Sequence, residues 1–98
     1  MQYLTRFYVG LQDKDNRLEH NADELAYITS GYFDNFTMIK AQGFYNYNDG
    51  TMCNETSYII EVFHDEPLEH FEYINEVKRI LNQECVLAYT QNVQAYCV

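Results

Sequence analysis

Residues 2 to 11, QYLTRFYVGL, alternate so that Tyr3, Thr5, Phe7, Val9 and Leu11 share one face, which predicts a strand. The polar run QDKDNR follows without apolar anchors. Asn21 then stands as the N-cap of a first helix, with Glu24 three residues on as the return half of a capping box. Ala22, Leu25, Ile28 and Tyr32 fall on one stripe of that helix. Gly31 and the DNF after it predict its end near residue 34.

Two strands, over 36–48 and 56–64, are expected around Asp49-Gly50, a dipeptide that favours a two-residue type I′ turn. Centring the hairpin there pairs Asn48 with Thr51 beside the turn, and the pairs Gly43 with Thr56, Ala41 with Tyr58, Ile39 with Ile60 and Thr37 with Val62 then share one core face. Pro67 suits the first turn of a second helix, capped by Asp65 or Glu66. Leu68, Phe71, Ile74, Val77 and Leu81 make its apolar stripe, and Lys78 and Arg79 sit where its dipole favours positive charge. Residues 85–97 supply a last strand, irregular around Gln91-Asn92.

The resulting order, β-α-β-β-α-β, is the ferredoxin-like plan: an α+β domain spanning residues 1–98, with a four-stranded antiparallel sheet and both helices on one face. Its expected strand order is 4-1-3-2. The opposite sheet face would carry Leu4, Arg6, Tyr8, Met38, Lys40, Phe44, Ile59, Glu61 and Phe63. That set is too apolar to stay wholly wet, so a homodimer through the open sheet face is expected.

Composition narrows the function. Fifteen acids against six bases give a net charge of −9. Phosphate backbones repel such a surface, so direct nucleic-acid binding is not expected, whereas a protein partner with a basic surface is. Ten of the sixteen aromatics are tyrosines, which bury a ring and keep a wet hydroxyl. No apolar run approaches a membrane span and the N-terminus has no signal-peptide pattern. Cys53, Cys85 and Cys97 form no CxxC pair, which suits reduced thiols in a cytoplasm.

Thr37, Gly43, Glu55 with Ser57, and Gln83, Glu84 with Val86 resemble the motifs of an uncharacterised family of small bacterial ferredoxin-like domains. That resemblance runs from Phe36 onward and implies the fold without an activity. In size, acidity and fold the chain also resembles phage inhibitors of host defence, including anti-CRISPR proteins and nucleic-acid mimics.

Candidate sites are few. In HDEPLEH, His64, Asp65, Glu66, Glu69 and His70 lack the HExxH spacing of a helical zinc site, and the acids serve equally as helix caps. Glu69, Glu72 and Glu76 form an outward row on the second helix, suited either to solvent or to a basic channel. Glu61 lies diagonal to Lys40 in the expected register, an ion pair rather than a catalytic acid. No nucleophile elbow or Gly-rich phosphate loop is present. Tyr45 and Tyr47, with Asn46, Asn48 and Asn54, gather at the hairpin tip, with Glu55 at its base, where they offer recognition surface.

The expected function is therefore non-enzymatic and needs no cofactor or metal: a phage-encoded, anti-CRISPR-like inhibitor occluding a basic nucleic-acid-binding surface of a defence complex. Its contact residues would be Tyr45, Tyr47, Glu55, Asp65, Glu66, Glu69, Glu72 and Glu76. The alternative is a dimeric small-molecule-binding or regulatory domain.

Overall fold

A computed structural model describes residues 1–98 except position 69. The elements run β1 (Tyr3–Gly10), α1 (Ala22–Ser30), β2 (Thr37–Asn46), β3 (Met52–His64), α2 (Phe71–Ile80) and β4 (Leu87–Asn92). The sheet order is β2-β3-β1-β4 and every pairing is antiparallel, which is the ferredoxin-like arrangement.

The alternation in β1 does what it predicts. Thr5, Phe7, Val9 and Leu11 are buried beneath the helices, with Ile60 and Val62 from β3 beside them. Leu25 and Ile28 of α1 and Tyr73 and Val77 of α2 close over this face. Asn21 caps α1 by accepting from the Asp23 N–H at 2.8 Å. The Glu24 side chain does not complete a capping box; it lies 3.7 Å from the His20 ring.

Helix α2 begins four residues beyond Pro67, so Asp65 and Glu66 lie in the bend after β3 rather than at its cap. The shift also changes its buried face. Val77 and Leu81 are buried as expected, but Tyr73 turns inward and Phe71, expected in the core, is exposed. Tyr73 brings a hydroxyl with it, bonded at 2.7 Å to Thr29.

The hairpin differs from expectation by one residue. Tyr47 N–H donates to Thr51 O at 2.8 Å and Gly50 N–H to Tyr47 O at 2.9 Å. Within the turn only Gly50 has positive φ (+88°), so the loop is three residues, Asn48-Asp49-Gly50, rather than a type I′ pair. The Asp49 carboxylate favours this form by accepting from both Thr51 N–H (2.9 Å) and Thr51 Oγ1 (2.6 Å). The extra loop residue slips the ladder: Gly43 pairs with Glu55, Ala41 with Ser57, Ile39 with Ile59 and Met38 with Ile60. Because side chains alternate with period two, one step exchanges the faces of β2. Met38 packs on the core and Ile39 is exposed, the reverse of the sequence reading. Glu61 consequently answers Arg6 of β1 at 2.6 Å, not Lys40.

Candidate functional site

The register places Gly10, Gly43, Tyr45, Glu55 and Ser57 on the face of the sheet that the helices leave open. Together with Tyr8, Phe44, Cys85 and Leu87 they line a pocket of about 350 Å³. Its polar content is one carboxylate, two phenols, a serine hydroxyl and a thiol.

Glu55 is the unusual member, only 2% exposed on the open face of a sheet. Two glycines make room for it. Gly43 stands directly opposite on β2, and a Cβ on Gly10 would lie 1.8 Å from Glu55 Oε1. A glycine inside a strand often marks such a close approach. The Gln12 N–H donates to Glu55 Oε2 at 2.6 Å, a short charge-assisted bond. Burial pushes the Glu55 carboxyl above the ordinary glutamate range, while the Gln12 N–H and the Tyr45 hydroxyl act to lower it. Burial likewise pushes the Tyr45 phenol up, helped by Tyr47 and the Glu55 charge, so it stays protonated.

Beside the pocket, Arg6 lies between β3 and β4. It donates to Glu61 and, at 2.5 Å, to the Tyr89 hydroxyl. Tyr89 stacks on Tyr8, with ring centroids 6.2 Å apart, and so backs the pocket wall.

Of the eight expected contact residues, the structure brings two together here, Tyr45 and Glu55. Tyr47 is buried and so adds no contact area. Arg17 covers its ring at 3.5 Å and its hydroxyl donates to Gln12. Asp65 and Glu66 are exposed after β3, and Glu72 is exposed on α2, which covers the other side of the sheet. Glu76 pairs with Arg79. Glu69 lies outside the described residues. Among the described residues, therefore, the acids form no single surface with the hairpin. Sequence reasoning missed Tyr8, Gly10 and Ser57; a glycine ending a strand that otherwise alternates cleanly was the available signal. Among the described residues no group of three metal-ligating side chains converges, and no helix is long and apolar enough to cross a membrane.

No family model matches the chain, and no curated protein does, so the resemblance to small bacterial domains gains no support. Solved structures do match. A phage SAM lyase in complex with S-methyl-5′-thioadenosine superposes with a TM-score of 0.74 at 20% identity, over 93% of this chain and 81% of that one. A phage SAM lyase in its apo state gives 0.67 at 20% identity, over 92% and 79%. These likenesses establish the fold and keep the comparison among phage proteins, with nothing that points to anti-CRISPR proteins or nucleic-acid mimics. They also correct the expectation of a non-enzymatic, protein-binding inhibitor, because both of these structures are of a lyase, one of them with a small molecule bound.

Proposed function

We propose that this chain is a phage-type enzyme that cleaves S-adenosylmethionine, releasing S-methyl-5′-thioadenosine. The observation that carries the reading is Glu55: a carboxylate sunk into the floor of a small-molecule-sized pocket, on a chain folded like a phage SAM lyase. The substrate carries a sulfonium and an α-ammonium, so an anionic pocket on an acidic protein suits it.

The chemistry follows from the bonds. Release of the thioether breaks the bond from sulfur to the methionyl Cγ, and its electron pair neutralises the sulfonium. A lyase adds no water, and the four-carbon fragment can satisfy this by closing on itself. Its own carboxylate oxygen bonds to Cγ, giving a five-membered lactone that keeps the ammonium. Charge is +1 before and after, and no proton moves. The two charges that vanish are better solvated by water than by an apolar pocket, so partial exclusion of water lowers the barrier. Glu55 serves best on the ammonium, because pairing with the sulfonium would stabilise the ground state. Tyr8 and Tyr45 supply ring surface for the adenosine or the sulfonium.

The pocket is open to one side. Ile39, Phe63 and Leu87, exposed on the same sheet face, favour its closure by a second copy of the chain. This reading goes with action in the cytoplasm. The test is incubation of the purified protein with S-adenosylmethionine and chromatography of the products. S-methyl-5′-thioadenosine and homoserine lactone are expected, with loss of both on Glu55→Gln. Unchanged substrate with the wild-type protein would overturn the reading. Sedimentation reports self-association, which a monomer at all concentrations refutes.

A further inference from the structure

Gln12 lies just beyond β1, where the chain leaves the sheet, and it is tied at four points. Its N–H donates to Glu55 Oε2 at 2.6 Å. Its side-chain Oε1 accepts from the Tyr47 hydroxyl at 2.7 Å and from the Cys53 thiol at 3.3 Å. Its carbonyl accepts from Gln83 Nε2 at 2.9 Å, and Gln83 is itself buried and bonded to Leu81 O at 2.9 Å. One residue thus joins the hairpin, the loop after α2 and the Glu55 carboxylate.

We infer that Gln12 is a positioning residue for Glu55: its amide side chain and carbonyl hold in place the residue whose N–H fixes the carboxylate over Gly10. The role of Glu55 in turnover rests on the lyase reading, but the clamp is a property of the chain itself. A backbone donor has no rotamers, so its aim is only as firm as the peptide that carries it. Ties from the hairpin and from the loop after α2 hold the residue at its side chain and at its carbonyl. The Tyr47 ring keeps its own place through Arg17, which stacks on it and bonds Asp49 at 2.9 Å. The side-chain tie can therefore be cut without removing the ring that supports it.

Tyr47→Phe and Gln12→Met remove the same bond from its two ends at nearly constant volume. Both are tested by carbon-13 NMR titration of the Glu55 carboxyl and, separately, by thermal melting. A loosened N–H serves the ionised carboxylate less well, so the midpoint should rise by about one pH unit in each variant. The double variant should show no further rise. If the wild type is active, kcat/KM should fall about tenfold, with the acid limb of its pH profile moving by the same amount. A Glu55 midpoint unchanged in both variants overturns the inference, whatever the melting temperature does. Failure of the wild type to cleave substrate overturns the lyase reading and leaves the titration standing as the test of the clamp.

Discussion

The sharpest perturbation available is a single methyl group at Gly10. An added Cβ there would sit 1.8 Å from Glu55 Oε1, 2.3 Å from Cδ and 2.6 Å from Oε2, all well inside van der Waals contact. Gly10 is the last residue of β1, and its backbone is held by the ladder to β3. Relief must therefore come from the flexible glutamate side chain, which swings toward solvent. That movement breaks the bond from the Gln12 N–H, and a hydrogen bond to a charged group is worth roughly 1.5 to 3 kcal/mol. Removed from a transition state, the same energy is about ten- to a hundredfold in kcat/KM. Gly10→Ala should fall by that factor in formation of S-methyl-5′-thioadenosine. Its folding should change little, since the carboxylate escapes an unfavourable burial as it loses the bond. Because the methyl acts only through Glu55, Gly10→Ala in a Glu55→Ala background should cost nothing more. Near-wild-type turnover by Gly10→Ala, with fold verified by circular dichroism, would refute the placement of Glu55 in the reaction.

Three further expectations concern stability. The folded-state value of Glu55 is raised by burial, so its contribution is fully present below the ordinary value of 4.5 and lost as pH rises through the folded value. Glu55→Gln should therefore melt above wild type at pH 7 and converge with it near pH 4 in calorimetry. Asp13 runs the other way: the Asp15 N–H, Asn82, the Asn16 N–H and His20 outweigh burial and hold its carboxyl down to about 2. Its stabilisation is present above 3.8 and lost as pH falls toward 2. Asp13→Asn should cost roughly 1 to 2 kcal/mol at pH 7 after allowance for solvent screening, and little at pH 2, in urea titrations. In the core, the Thr29 hydroxyl donates to Leu25 O, so Tyr73 O–H is the donor to Thr29. Tyr73→Phe removes that donor without stranding Thr29, and should cost about 1 kcal/mol, or roughly 4 to 8 °C in melting temperature.

Much of the fold was legible because its signals are local. Alternation in β1, the Asn21 cap and the order of elements each depend on neighbours a few residues apart. The hairpin register was not legible, because Asp-Gly serves both a two-residue turn and a three-residue loop, and the choice rests on how the Asp49 side chain bonds Thr51. The site suffered most from that ambiguity. Tyr45 and Glu55 were singled out from sequence, but as surface features of a tip, since nothing local shows that Gly10, forty-five positions before Glu55, leaves the gap the carboxylate fills. The acids of 65–76 look like a site in sequence because charge is conspicuous there. In space Asp65 and Glu66 occupy the bend and Glu72 and Glu76 the helix layer, away from the pocket.

The three-residue loop at Asn48-Asp49-Gly50 acts on the pocket as a reading frame acts on a message. Which residues of β2 face the open side depends on the parity of the residues between the paired strands, and β1 independently fixes the facing of β3. A one-residue slip of β2 against β3, which a two-residue Asp49-Gly50 turn would impose, would keep every side chain in the chain's vocabulary and change which are read. Gly43 and Tyr45 would turn to the helix side of the sheet, and the glycine opposite Glu55 would be replaced by the Phe44 ring. Exposed tips are ordinarily where length variation is tolerated. Here the outermost loop decides the innermost lining, so homologous chains with this site should keep tips that hold Gly43 opposite Glu55, with Asp49, Gly50 and Thr51 the letters least free to vary.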